Sequence, residues 1–286
     1  MILYTDKYVT DKIAVLKQQV SEMQRPPKLV IIRVNGDPAS EKYVRNKEKR
    51  CEEVGIESET ILLPNNVSQE KVTQTISLLN LDPTVDGILL QLPLPAHLDE
   101  HFLTNQIYPD KDVDGFTIYN TGLLALGQPD NIPCTPRGII DFLKYNNVKL
   151  EGANVCIVNK SNILGKPLAS LLLLEGATPT ICHSKTKDLK FKMLEADIVV
   201  LGTGQPDFVG LDNFTAGQIV IDVSINFNDE GKMCGDIKKS DYQALADQCV
   251  SFTPVPGGVG QLTVLALIEQ TIEIAKKRIK EAVKHE

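Results

Sequence analysis

Tyr43 and Lys47 stand four residues apart in a stretch of helical character, a spacing that puts both on one helix face. Tyrosine offers a flat surface to an aromatic ligand, and a lysine whose burial favours the neutral amine can pass protons. The same spacing also fits an ordinary exposed face. Gln91 follows the apolar run Gly87-Ile88-Leu89-Leu90 and precedes Leu92-Pro93-Leu94-Pro95, which stops a strand. A neutral amide at such a strand end can orient an amine without adding charge. Asp114, in Asp112-Val113-Asp114-Gly115, is a further carboxylate at a strand's end, although Asp and Gly are equally the ingredients of a turn.

A second group of segments suggests a nucleotide site. Val155 to Val158 leads into Asn159-Lys160-Ser161-Asn162-Ile163-Leu164-Gly165-Lys166-Pro167 and then a helical run, so open N–H groups at a helix start are expected to attract phosphate. The G-x-G-x-x-G fingerprint is absent, and a plain strand-to-helix turn fits as well. The next strand ends in Cys182-His183-Ser184-Lys185-Thr186-Lys187, without the Asp or Glu that holds the ribose in NAD sites. Lys160, Lys185 and Ser184 suit a 2′-phosphate, which leans to NADP, although a solvated basic loop has the same composition. Gly202-Thr203-Gly204-Gln205-Pro206 and Asp222-Val223-Ser224-Ile225-Asn226 follow two further strands. In Thr253-Pro254-Val255-Pro256-Gly257-Gly258-Val259-Gly260, two prolines fix φ and three glycines permit φ > 0 or close approach of a flat ligand.

These groups need a scaffold of parallel sheets covered by helices. Strands are expected at 28–34, 56–63 and 85–90, with helices at 6–23, 41–54 and 69–79; Ser40 would cap the second of these, after Asp37 and Pro38. After a polar, Gly/Pro-rich stretch at 120–136, strands recur at 154–158, 178–183, 198–201, 219–223 and 250–252. A helix at 262–280, with Val264, Leu267, Ile268, Thr271, Ile272 and Ala275 at helical spacing, is longer than a crossover requires and is expected to return to the first unit. The fold class is therefore α/β with two α/β domains: 1–138 completed by 264–286, and a Rossmann domain over 139–263.

Composition narrows the partners. The 286 residues carry a net charge of -7 with pI near 5.3, which argues against nucleic acid or an anionic membrane surface. Six scattered cysteines without C-x-x-C, and four histidines without ligand spacing, suggest reduced thiols and no metal. The N-terminal stretch lacks a signal-peptide core, so a cytoplasmic location is expected.

The order of Tyr43-Val44-x-x-Lys47, Gln91-Leu92-Pro93-Leu94, Lys111-Asp112-Val113-Asp114-Gly115, Pro133-Cys134-Thr135-Pro136-x-Gly138, His183-Ser184-Lys185-Thr186 and the 253–260 run resembles the bifunctional methylenetetrahydrofolate dehydrogenase/cyclohydrolase family along nearly the whole chain. The resemblance implies NADP-dependent oxidation of 5,10-methylenetetrahydrofolate, then hydrolysis to 10-formyltetrahydrofolate, by a homodimer serving purine, methionine and histidine synthesis. It implies Tyr43 packing on the folate, Lys47 as catalytic amine, Gln91 orienting it and Asp114 gripping the pterin, with Pro256, Gly257 and Gly258 also facing substrate. It implies NADP contacts from Asn159, Lys160, Ser161, Ser184 and Ile225, with NAD also able to enter. Asn159-Lys160 replaces a usual Gly-Arg, Asn35 and Ser224 replace glycines, and Gln261 replaces a proline. A dehydrogenase lacking the hydrolytic half, and a folate- or nucleotide-binding paralogue without turnover, are the competing readings.

Overall fold

The structure is a computed structural model that describes residues 1–34 and 38–285. Asn35 and Asp37 fall outside the described residues. Contacts divide the chain into two units, one of Met1–Thr10 with Thr135–Thr263 and one of Asp11–Cys134 with Val264–Glu286.

In chain order the elements are α1 (Asp6–Ser21), β1 (Lys28–Val34), α2 (Pro38–Val54), β2 (Glu57–Leu63), α3 (Gln69–Leu81), β3 (Gly87–Leu90), α4 (Glu100–Thr104), α5 (Ile118–Ala125) and α6 (Cys134–Tyr145). They continue with β4 (Asn154–Val158), α7 (Gly165–Leu174), β5 (Thr178–Cys182), α8 (Leu189–Leu194), β6 (Ile198–Leu201), β7 (Ile219–Asp222), β8 (Asn226–Phe227), β9 (Met233–Cys234), α9 (Tyr242–Asp247), β10 (Ser251–Phe252) and α10 (Val259–His285).

The unit holding β1 to β3 is a parallel sheet in the order β2-β1-β3. Leu29, Val30, Ile31 and Ile32 of β1 are fully buried, because a parallel strand covered on both faces must be apolar throughout. Each such aliphatic side chain stabilises the unit by roughly 1.5–3 kcal/mol. From Val264 onward α10 belongs to this unit, tied by Lys12–Glu269 at 2.7 Å and by Arg278, which reaches Asp110 at 2.7 Å. The expected helix cap at Ser40 is corrected. Helix α2 begins at Pro38, where a missing N–H removes no helical bond, so Ser40 lies within the first turn. Two further helices, α5 and α6, lie in or overlap the stretch read as irregular.

The other unit is a five-stranded parallel sheet in the order β10-β7-β6-β4-β5, a doubly wound arrangement that reverses between β4 and β6. Residues 1–10, expected in the first domain, group here instead. Ile2 bridges Phe252, and the Leu3 N–H donates to the Phe252 carbonyl at 2.7 Å, extending the sheet beyond β10. None of the six cysteines is in a disulfide, and five of them are buried. No described helix is long and apolar enough to cross a membrane.

Candidate functional site

In the β1–β3 unit, Lys47 projects from the third turn of α2 and Gln91 follows β3 directly. The Gln91 N–H donates to the Ile32 carbonyl at 2.9 Å, so β1 fixes its position. Its Nε2 donates to the Leu92 carbonyl at 2.7 Å, which turns Oε1 toward Lys47. Lys47 Nζ donates to that oxygen at 2.9 Å. Tyr43 sits one turn earlier on α2, 40% exposed, and partial burial raises its hydroxyl pKa.

Asp114 is positioned by its neighbours. Asp112 bridges Ile88 of β3, and its buried carboxylate accepts the Thr117 N–H and Asn120 Nδ2, both at 2.9 Å. Gln270 of α10, 1% exposed, donates to the Val113 and Ile132 carbonyls at 2.7 and 3.0 Å and accepts the Ile132 N–H at 2.9 Å. Burial pushes Asp114 up to about 6; the Lys47 charge opposes the rise, the Asp112 charge adds to it, and a hydrogen bond from Cys134 opposes it. Lys47, Gln91 and Asp114 are thus brought into one electrostatic neighbourhood. Asp112, Gln270 and Cys134 as its supports were not legible: only folding brings Gln270, 157 residues away, against Val113.

In the doubly wound unit, loops leaving β4, β5 and β6 enclose a cavity of about 790 Å³ at the strands' carboxyl ends, beside the point where the sheet order reverses. Asn159, Lys160, Ser161, Ser184, Thr203 and Gln205 are among its lining, which among the described residues includes no carboxylate. The turn after β5 is ordered, with the His183 N–H donating to Thr186 Oγ1 at 2.8 Å, and it sets Ser184 against the cavity while leaving Lys185 outside the lining. Ile225 also lies outside it; its Cδ1 is 3.8 Å from where a Cβ on Gly260 would stand. The donors fit a phosphorylated nucleotide.

One expectation is overturned. The start of α7 does not offer open N–H groups, because Gly165 N donates to Asn159 Oδ1 at 3.1 Å, Lys166 N donates to the Ser161 carbonyl at 3.1 Å and Pro167 has no N–H, while the preceding Leu164 N donates to Ser161 Oγ at 3.1 Å. The protein caps this helix itself, so Lys160 and Ser184, which line the cavity, remain as the candidate donors to a phosphate.

The glycine turn belongs to the same unit. Gly257 has φ +102°, a conformation that favours glycine, and a Cβ on Gly258 would stand 2.5 Å from the Pro254 carbonyl oxygen. Thr5 Oγ1 lies 3.1 Å from both the Gly257 and Gly258 carbonyls. Gln261 donates to Asp6 at 2.9 Å, so it holds α1's first turn to the start of α10.

Two family models cover the chain: the tetrahydrofolate dehydrogenase/cyclohydrolase catalytic domain over residues 5–114, and the NAD(P)-binding domain of the same family over 133–279. The chain belongs to the tetrahydrofolate dehydrogenase/cyclohydrolase family. It is similar to the bifunctional protein FolD of Ligilactobacillus salivarius, 44% identical over 95% of this chain and 93% of that one. The crystal structure of the bifunctional FolD enzyme from Campylobacter jejuni matches with a TM-score of 0.93 at 38% identity, over 97% of this chain and 99% of that one. A methylenetetrahydrofolate dehydrogenase-cyclohydrolase from Trypanosoma brucei, solved with NADP and an inhibitor, matches at 0.90 and 30% identity over 98% of each. The protein is therefore a bifunctional dehydrogenase and cyclohydrolase of folate one-carbon metabolism, with a catalytic and a NAD(P)-binding domain. The readings without the hydrolytic half, or without turnover, are set aside.

Proposed function

We propose that this chain oxidises 5,10-methylenetetrahydrofolate with NADP and hydrolyses the resulting methenyl group to 10-formyltetrahydrofolate, with Lys47 as the proton-transferring amine. The observation that carries this reading is the 2.9 Å hydrogen bond from Lys47 to an amide whose other end is anchored. The hydride acceptor would be supplied by bound NADP. Lys47 Nζ takes a proton from water as it attacks the methenyl carbon and returns it as the ring opens, and Gln91 holds the amine in place without a competing charge. Tyr43 packs against the folate. Asp114 accepts paired hydrogen bonds from the pterin amino and ring N–H groups, fixing the reacting carbon. Pro256, Gly257 and Gly258 form a flat backbone surface for the ligand.

Lys160 and Ser184 would hold the 2′-phosphate, Asn159 and Ser161 would shape the adjacent wall, and Ile225 would be a further cofactor residue. The absence of a carboxylate from the lining among the described residues favours NADP and still admits NAD. The enzyme acts as a cytoplasmic homodimer supplying purine, methionine and histidine synthesis. Supporting the dimer, β5 is an edge strand, and Leu173, Leu174 and Ile181 beside it are 63, 47 and 37% exposed. Purified protein given methylenetetrahydrofolate with NADP or NAD tests the reading: reduced-cofactor absorbance reports the first step and methenyl decay the second. Absence of either signal overturns the corresponding half.

A further inference from the structure

The segment leaving β6 lies on the floor of the nucleotide cavity, yet it is held by side chains. The Gly202 carbonyl accepts from Asn159 Nδ2 at 2.7 Å. The Thr203 N–H donates to Asp236 Oδ2 at 2.7 Å, the Gly204 N–H to Ser224 Oγ at 3.0 Å and the Gln205 N–H to Asp236 Oδ1 at 3.1 Å. Among the described residues, three consecutive N–H groups are thus taken by two side chains, Asp236 fully buried and Ser224 7% exposed. Asp236 is itself fixed, accepting from Asn226 Nδ2 at 3.1 Å. The Ser224 N–H donates to the buried Asp222 carboxylate at 3.2 Å.

We infer that Ser224, with Asp236 and Asn159, is a positioning residue that suspends the Gly202–Gln205 floor in its nucleotide-receiving shape. This deepens the cofactor assignment proposed above and rests on it. A loop with N–H groups already bonded loses little freedom when a ligand arrives, so its rigidity appears as affinity. The same bonds deny those N–H groups to the cofactor phosphates, so the floor supplies shape while the Lys160 side supplies charge. Gly204, at φ +69° with no atom within 4 Å of a Cβ position, is glycine for its backbone conformation, and the Ser224 hydroxyl holds that conformation from below.

The test uses full-length protein. Ser224→Ala removes one neutral hydrogen bond and is expected to weaken NADP binding about fivefold, measured by calorimetric titration. Ser224→Thr, which keeps a hydroxyl, restores affinity to within twofold. Methenyl hydrolysis without nucleotide stays unchanged in both variants, which separates positioning from general destabilisation. Amide hydrogen exchange on wild-type protein gives a readout independent of any variant's folding: Thr203, Gly204 and Gln205 exchange slowly, and Ser224→Ala accelerates that segment selectively. Fast exchange there in the wild type, or unchanged NADP affinity in Ser224→Ala, overturns the inference. Failure of wild-type protein to bind NADP at all refutes the underlying site assignment, and the inference with it, whereas normal wild-type binding with an indifferent Ser224→Ala refutes the inference alone.

Discussion

Asp114→Asn should cost the enzyme its activity while making the folded protein more stable above neutral pH. Burial raises the Asp114 carboxyl from 3.8 to about 6, so the folded state holds a proton that the unfolded chain has released. Between those values the unfolded state binds fewer protons, and stability therefore falls as pH rises from about 4 to about 6, then levels. The full gap corresponds to about 3 kcal/mol at 1.36 kcal/mol per tenfold step. Partial solvent access at Asp114 screens the charge, which leaves about 1–3 kcal/mol at pH 8. At pH 4.5 only about a third of that applies, because most of the titration lies above it. The amide cannot ionise, so Asp114→Asn should unfold later than wild type at pH 8, at about 2–4 °C per kcal/mol, with most of the advantage gone at pH 4.5. Scanning calorimetry of the ligand-free proteins at both pH values measures this. The same variant should lose about 10²-fold in kcat/KM, since one paired acceptor becomes a donor. Equal Tm values at pH 8, or an advantage equal at both pH values, would refute the reasoning.

Wild-type KM for the folate should rise as pH falls below about 6, because a protonated Asp114 accepts fewer hydrogen bonds; a KM flat from pH 5 to 7 counts against its substrate role. Lys47→Met should reduce methenyl hydrolysis by about 10²–10⁴ with the circular dichroism spectrum unchanged, and normal hydrolysis by that variant removes the lysine from the mechanism. Lys160→Ala should weaken NADP more than NAD by about tenfold, seen as the ratio of KM values, and an equal loss for both argues against a 2′-phosphate contact. Gln270→Ala should destabilise the protein by about 2–4 kcal/mol in urea unfolding, since it removes side-chain partners of the Ile132 carbonyl and N–H and one of two side-chain donors to the Val113 carbonyl, which keeps Cys134 Sγ; an effect below 1 kcal/mol would show that water replaces them.

The sequence determined the parts whose physics is local. Apolar, β-branched runs such as Lys28–Val34, Asn154–Val158 and Ile198–Leu201 read as strands covered on both faces, and the strand ranges agree to within one or two residues. The ends of the strands pointed to most of the candidate site residues, because parallel sheets bind ligands at their carboxyl edge. Tertiary structure decided what depends on partners far along the chain. Whether Lys47 is a bare helix face or a paired amine rests on Gln91 Oε1, oriented by β1 and Leu92. Whether α7 offers its N–H groups rests on the loop before it, where the Asn159 side chain takes the Gly165 N–H and reaches Gly202, and the Ser161 carbonyl takes the Lys166 N–H. Residues 1–10 join the nucleotide unit through Phe252, and Gln270 supports Asp114 from α10, both through hydrogen bonds that no periodicity encodes. A hydrophobic pattern records which face is buried, but a buried polar group's partner is chosen only when the chain closes around it.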